Sequence, residues 1–134
     1  MTSSQRSDPG PAAGAPTFAV VGAGIAGITC ARQLAAAGSR VRVFERAAVP
    51  GGRLAAHHSD GGDFDIGAQY LTVQNEAFAD EVRRWVGADL LRSWDANLAD
   101  LNKGHGVLLP STVTRFVGVP RMDSIAKGTT NKAQ

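Results

Sequence analysis

A glycine cluster at positions 22–27, reading G-A-G-I-A-G, constrains the fold of this chain more than any other feature. It fits the GxGxxG pattern and follows the apolar run from Phe18 to Val21, which predicts a buried parallel strand. After Gly24, apolar residues recur at helical spacing until Gly38, which is expected to end the helix in a left-handed conformation. A second apolar run at 41–44 completes a βαβ unit with a right-handed crossover.

Each glycine of the cluster has a physical role in binding a dinucleotide. Gly22 permits a tight turn, Gly24 lets the backbone approach a pyrophosphate, and Gly27 allows the helix to pack closely on the strand. The helix N-terminus then faces the anion with unpaired N–H groups and a positive dipole end. Glu45 ends the second strand, where its carboxylate is expected to accept hydrogen bonds from both ribose hydroxyls and to disfavour a 2′-phosphate. The alternative is a glycine-rich turn without a ligand, and the position of Glu45 favours the dinucleotide site.

Short elements are predicted for the rest of the chain. The turn at 59–62 contains an Asp-Gly pair and predicts a hairpin. Asn75 is expected to cap an amphipathic helix with an apolar face. Further strands are predicted around Trp94 and at 107–109 and 116–119, before a helix that begins at Met122. The predicted apolar face of the capped helix comprises Phe78, Val82, Trp85 and Val86, with Trp85 in the core.

The composition is that of a globular protein. Of the 134 residues, 43% are hydrophobic and 19% are charged, without an apolar run that could span a membrane. Fourteen basic and 12 acidic residues are scattered, so the net charge of +2 gives nucleic-acid binding no support. The single cysteine, Cys30, fits a reducing, cytoplasmic compartment and is predicted to be a small buried residue of the first helix. His57, His58 and His105 are expected to be exposed or hydrogen-bonded rather than metal ligands, and no metal site is predicted.

Two segments after Glu45 carry a family resemblance. Residues 46–54 read RAAVPGGRL, and the order Glu-Arg followed by Gly-Gly-Arg is similar to that of the flavin-dependent amine oxidases. Residues 65–70 read D-I-G-A-Q-Y and resemble the D-x-G-A-Q-Y segment of the renalase-like branch of that superfamily. The resemblance, which spans Phe18 to Met122, implies FAD as the cofactor and places Gln69 and Tyr70 by the flavin or the substrate cavity. Packing alone explains Tyr70 nearly as well.

The fold class expected from pattern and resemblance is α/β, with a Rossmann-like FAD/NAD(P)-binding βαβ unit followed by the start of an α+β substrate domain. The expected organisation is a flexible leader at 1–16, an FAD-binding segment at 17–74, the start of an inserted substrate domain at 75–126 and a disordered tail at 127–134. Members of the family are more than twice as long, and C-terminal segments complete their FAD domain. The resemblance therefore implies a truncated N-terminal portion, and the alternatives are a truncated gene product, an isolated fragment and a misassembled open reading frame. Another chain that completes the fold is the expected partner.

The resemblance implies a two-electron oxidation, in which hydride moves from an amine or a reduced nicotinamide to the flavin and oxygen reoxidises it. The substrate is expected to be a small molecule, and no catalytic side chain is assigned. Two alternatives are a noncatalytic nucleotide-binding remnant and a fragment of an NAD-dependent dehydrogenase. The residues alone favour a surface turn with a solvated Arg53. The short distance beyond Glu45 and the family resemblance instead imply that its guanidinium, which carries several N–H groups, donates to phosphate oxygens. The predicted cofactor-binding residues are Gly22, Ala23, Gly24, Ala26, Gly27, Glu45, Arg46, Gly52, Arg53, Gln69 and Tyr70.

Overall fold

A computed structural model describes residues 13–95, 98–100, 107–109 and 113–130 of the chain. Within these ranges the strands are β1 Thr17–Val21, β2 Arg40–Phe44, β3 Ala56–Ser59, β4 Gly62–Asp65, β5 Leu71–Thr72, β6 Leu91–Trp94, β7 Leu98–Asp100, β8 Val107–Leu109 and β9 Arg115–Gly118. The helices are α1 Ile25–Ala36, α2 Glu76–Gly87 and α3 Asp123–Thr130, with a short 3₁₀ turn at Gly52–Leu54. In the described part of the chain, no helix is long and apolar enough to cross a membrane.

The N-terminal unit is the expected βαβ arrangement. Strands β1 and β2 are parallel, with Phe18 opposite Val41, and α1 connects them. The helix buries Ile28 and Ala31, and it ends before Gly38, whose φ of +82° confirms the predicted left-handed terminator. The predicted α/β class and the parallel pair are confirmed.

The strands of this unit are less buried than the sequence predicts. Val21 is 88% exposed and Phe44 is 53% exposed. Among the described residues, β1 and β2 pair only with each other, and α1 contacts both of them. A continuous apolar run predicts a strand covered on both faces, but a sheet of two strands leaves much of its surface in solvent.

The second unit is built on an antiparallel sheet with the strand order β5-β9-β6. Its core contains Val82, Trp85, Leu91, Met122 and Ile125, so α2 and α3 share one apolar layer with β6. Asn75 caps α2 as predicted, because its side-chain oxygen accepts the Phe78 amide at 2.8 Å. The predicted hairpin is confirmed as β3 paired with β4.

Several expectations were wrong. Cys30 is exposed because it lies two residues beyond Ile28, roughly 200° around the helix from the buried face. Val86 is 41% exposed, although it was predicted to share the apolar face of α2. Residues 127–130 belong to α3 rather than to a disordered tail, because the buried Ile125, Ala126 and Thr129 anchor that helix. Residues 1–12 of the expected leader, His105, and residues 131–134 of the expected tail lie outside the described residues.

Candidate dinucleotide-binding site

The glycine turn joins β1 to α1. Gly22 has a φ of +98°, and its amide donates to the carbonyl of Phe44 at 2.7 Å, which closes the turn onto the end of β2. A Cβ atom on Gly27 would lie 2.0 Å from the Gly22 carbonyl oxygen. No side chain fits there, so glycine at position 27 is required for α1 to approach the turn this closely.

The N-terminus of α1 has the properties of an anion site. Gly24 is the N-cap residue and gives α1 no side-chain cap, and the first turn contains no acidic residue. The first amide N–H groups of the helix therefore lack a side-chain partner at the positive end of the dipole. A Cβ atom on Gly24 would meet only the Cα of Gly52, at 3.9 Å, so the missing side chain leaves room beside the helix start. These features fit a diphosphate.

Glu45 lies directly against the glycine turn. Its Oε2 accepts the amide of Ala23 at 2.6 Å, and its Oε1 accepts the amide of Ala47 at 2.8 Å. The hydrogen bonds from the amides of Ala47 and Ala23 hold the pKa of Glu45 below its ordinary value of 4.5, and the bond from Ala47 lowers it more. The side chain is therefore an anion at neutral pH, placed where the second strand ends.

A second turn, formed by the Gly-Gly-Arg segment, contacts the first through backbone atoms. The amide of Gly51 donates to the carbonyl of Ala23 at 3.0 Å, and Gly51 forms a parallel bridge with Gly24. Gly52 has a φ of +55°, and a Cβ atom on it would lie 3.2 Å from the Cα of Gly24. The backbones of the two glycine-rich turns therefore lie directly against each other. Gly51 is absent from the predicted site, although the Gly-Gly pair was the signal that could have included it.

The D-x-G-A-Q-Y segment holds this second turn in place. The amide of Ala68 donates to the carbonyl of Arg53 at 2.8 Å, and a Cβ atom on Gly67 would lie 2.0 Å from that same oxygen. Three residues earlier, the Oδ1 atom of Asp65 accepts the amide of Met122 at 3.0 Å. The segment thus connects the Gly-Gly-Arg turn to the start of α3, and neither Asp65 nor Gly67 was among the predicted site residues.

Helix α3 supports the second turn from behind. Asp123 is 2% exposed and pairs with the Nζ atom of Lys127 at 2.5 Å. The Nε atom of Arg121 lies 3.5 Å from the other carboxylate oxygen of Asp123. A Cβ atom built on Gly51 would lie 3.8 Å from the Cβ of Asp123. The buried carboxylate of Asp123 is therefore paired within α3 and at its start, at the place where the helix packs against the turn.

The structure brings part of the predicted set together. Gly22, Ala23, Gly24, Glu45 and Gly52 lie together where the two glycine-rich turns meet. Gly27 lies in α1 and packs against the Gly22 carbonyl. Ala26, Arg46 and Arg53 are exposed, and the Arg53 carbonyl accepts the amide of Ala68. Gln69 is exposed, and Tyr70 packs with Trp94 and Arg115 on the other sheet.

The parallel strands, the uncapped helix start and the acidic residue at the end of β2 define a dinucleotide-binding Rossmann-like unit. Residues 20–85 match the family described as NAD(P)-binding Rossmann-like domain.

Similar proteins confirm the resemblance to the flavin-dependent amine oxidase superfamily and imply FAD as its cofactor. Phytoene dehydrogenase of Streptomyces griseus is 48% identical over 111 residues, which cover 74% of this chain. Lysine-specific histone demethylase 1 homolog 1 of Arabidopsis thaliana is 45% identical over 65 residues, or 45% of this chain. A solved double mutant of putrescine oxidase matches 71% of this chain with a TM-score of 0.53 and 26% identity.

The chain is short beside the proteins it matches. It covers 22% of the phytoene dehydrogenase, 8% of the demethylase homolog and 22% of the putrescine oxidase chain.

Proposed function

We propose that this chain supplies the dinucleotide-binding part of an FAD-dependent oxidoreductase of the renalase-like type. One observation carries the proposal: Ala23 donates its amide to Glu45 and accepts the amide of Gly51 on its carbonyl. The glycine turn, the ribose-binding carboxylate and the Gly-Gly-Arg turn are thereby joined in one site. A dinucleotide needs all three within reach of its phosphates and sugar.

In the proposed complex, the N–H groups at the start of α1 bind the diphosphate of FAD, and Glu45 accepts the adenosine ribose hydroxyls. The side chain of Arg53 is exposed and carries N–H donors for a phosphate oxygen. Ala26, Gly27, Arg46, Gly52, Gln69 and Tyr70 complete the proposed contact set. Bound flavin supplies the acceptor for a hydride taken from a small-molecule substrate, with oxygen reoxidising it.

The exposed apolar residues of the first unit support the proposal that further strands complete it in the working protein. Val21, Phe44 and Phe18 are 88%, 53% and 40% exposed on a sheet of two described strands. Apolar strand surface of this kind is normally covered. We propose that another chain covers this surface by adding strands to β1. We place the protein in the cytoplasm, where the exposed thiol of Cys30 remains reduced.

The proposal is tested by titrating the purified chain separately with FAD, ADP-ribose and NAD and following each by calorimetry. Saturable binding of FAD that is tighter than binding of NAD supports it. Binding of ADP-ribose as tight as that of FAD would limit the site to the shared half of the two cofactors. If NAD binds more tightly than FAD, the chain is a fragment of an NAD-dependent dehydrogenase, and the absence of binding by any of the three would contradict the proposed role.

Catalysis is tested in a second experiment, because FAD binding alone does not show that the chain oxidises a substrate. The FAD-loaded chain is mixed with amines and reduced nicotinamides, and hydrogen peroxide is measured. Peroxide that depends on substrate and FAD supports an enzyme, whereas FAD binding without peroxide supports the noncatalytic remnant.

A further inference from the structure

Helix α3 contributes to two separate apolar clusters. Ile125 of α3 and Met122, which directly precedes the helix, are both 0% exposed and belong to the core of the second unit. Ala126 is also 0% exposed, but it belongs to a different cluster, with Ala23 and Ile28. Consecutive residues of a helix point about 100° apart, so Ile125 and Ala126 face different neighbours. The helix therefore packs on the second unit with one side and on the dinucleotide unit with another.

Both partners of Ala126 are tied to the glycine turn. Ala23 is a residue of the turn, and its amide donates to Oε2 of Glu45 at 2.6 Å. Ile28 lies in the first turn of α1, and its amide donates to the carbonyl of Gly24 at 3.0 Å. A group that displaces either partner of Ala126 therefore displaces the turn that binds Glu45.

The same side of α3 also reaches the Gly-Gly-Arg turn. A Cβ atom built on Gly51 would lie 3.8 Å from the Cβ of Asp123, which is three residues before Ala126. Residues three apart are neighbours on the surface of a helix. The amide of Gly51 donates to the carbonyl of Ala23 at 3.0 Å, so α3 backs the two turns at the point where they meet.

The packing around Ala126 limits the size of its side chain. Its partners Ala23 and Ile28 are 6% and 3% exposed, so the cluster has no solvent-facing side toward which a larger group could turn. Protein interiors are close-packed, and extra carbon atoms in such a place shift the backbone or the neighbouring side chains. A longer side chain at position 126 must therefore push against the glycine turn or the start of α1.

We infer that Ala126 is a positioning residue of the dinucleotide site, whose small side chain keeps the amide of Ala23 within hydrogen-bonding distance of Glu45. Ala126 touches no cofactor in this role and acts through the backbone of the glycine turn. The second unit thereby sets the geometry of the carboxylate in the first. As a statement about how a ribose-binding group is held, this inference rests on the proposed function.

The pKa of Glu45 reports the position of Ala23. The amides of Ala47 and Arg46 and the charge of Arg46 also lower this pKa, but they come from the two residues that follow Glu45. Ala23 is the donor from a distant segment, and its hydrogen bond lowers the pKa by more than desolvation raises it. Moving Ala23 away should therefore raise the pKa of Glu45 toward its ordinary value of 4.5.

The test is a carboxyl-carbon NMR titration of the intact, ligand-free chain, comparing wild type with Ala126→Val. We expect a higher pKa of Glu45 in the variant, and an FAD affinity about tenfold lower because a hydrogen bond to a charged group is lost. A folded Ala126→Val chain with the wild-type pKa of Glu45 would overturn the inference. If Ala126→Val does not fold, Ala126→Ser adds a single oxygen atom at the same place and decides in the same way.

Ile125→Val is the matched control, since it alters the neighbouring residue of the same helix on the side that faces the other core. We expect it to lower the midpoint of urea denaturation and to leave the pKa of Glu45 and the FAD affinity unchanged. A rise in the pKa as large as that of Ala126→Val would show that Glu45 responds to any loss of stability, and the positioning role would be rejected.

The two measurements separate this inference from the proposed function, because the NMR titration needs no cofactor. A pKa of Glu45 that responds to Ala126→Val in a chain that binds no FAD would reject the cofactor role alone. Binding of FAD by a chain whose Glu45 is indifferent to position 126 would reject the positioning role alone.

Discussion

The backbone amide of Ala23 donates to Oε2 of Glu45 at 2.6 Å, although the two residues are 22 positions apart. The expected ligand of this carboxylate was a ribose. The structure shows that the carboxylate binds the protein's own glycine turn, and its other oxygen accepts the amide of Ala47. Glu45 therefore shapes the loop before any nucleotide arrives.

Replacing Glu45 should affect both loop and ligand. We expect Glu45→Ala to weaken FAD binding by about tenfold or more, because charged hydrogen bonds to the sugar and the support of the turn are lost together. Glu45→Gln keeps one acceptor oxygen, so its affinity for FAD should lie between the affinities of the wild type and of Glu45→Ala. Calorimetric titration with FAD measures the change, with the exposed Glu76→Ala as the control. Wild-type affinity in Glu45→Ala would remove Glu45 from the site.

The acid dependence of the turn follows from the lowered pKa of Glu45. A carboxyl whose pKa is lower in the folded than in the unfolded state stabilises the fold above the unfolded value, and this contribution is lost as the pH falls through the folded pKa. FAD binding also requires the carboxylate form of Glu45, so it should be constant from neutral pH to the ordinary pKa of 4.5 and weaken only as the pH falls through the lower pKa of the folded protein.

The comparison with Glu45→Gln isolates this titration. Asp63 also has a lowered pKa, chiefly through its hydrogen bond with His58, and its contribution is lost in the same direction on acidification. The acid loss of FAD binding in wild type, measured relative to Glu45→Gln, reports Glu45 alone. Parallel pH profiles for the two proteins would contradict the assignment.

Gly27→Ala should open the glycine turn. The added methyl group would lie 2.0 Å from the Gly22 carbonyl oxygen, so α1 must move away from β1. Overpacking of this kind costs about 1–3 kcal/mol of unfolding free energy, and FAD binding should fall with it. Urea denaturation and FAD titration measure the two effects. Gly87→Ala, in a helix and with no atom near its added Cβ, should leave both unchanged or raise stability slightly.

Asp65→Ala should destabilise the start of α3. The carboxylate of Asp65 accepts the Met122 amide at 3.0 Å, just before α3 begins. Asp65 therefore acts as a helix cap, although it lies 57 positions away in the sequence. Losing a cap costs about 1 kcal/mol. Asp65→Asn keeps an acceptor oxygen and should restore most of the stability in urea denaturation. Asp60→Ala in the hairpin turn is the control, and equal losses in the alanine and asparagine variants would exclude the capping role.

Local signals predicted the local structure well. The φ of Gly38, the Asn75 cap and the hairpin turn each depend on a few adjacent residues, and all three are confirmed. The glycine turn was also predictable, since its pattern reflects backbone conformation and close packing at Gly22 and Gly27.

Contacts between distant segments were not predictable from pattern alone. The Gly24–Gly51 bridge and the Asp65–Met122 hydrogen bond join residues whose spacing carries no periodic signal. An apolar run in the sequence predicts a buried strand, but the burial of a strand residue depends on which other elements are present to cover it. Val21 in β1 is 88% exposed for this reason. The resemblance to a family identified the D-x-G-A-Q-Y segment. It gave no indication that the amide of Ala68 in this segment donates to the Arg53 carbonyl.

The exposure of Cys30 has a practical consequence for studying this molecule. It is the only cysteine of the chain and lies on the helix that starts at the glycine turn. A maleimide fluorophore would attach at this one position without further engineering. A change in the fluorescence of that dye would then report flavin binding during the FAD titrations described above.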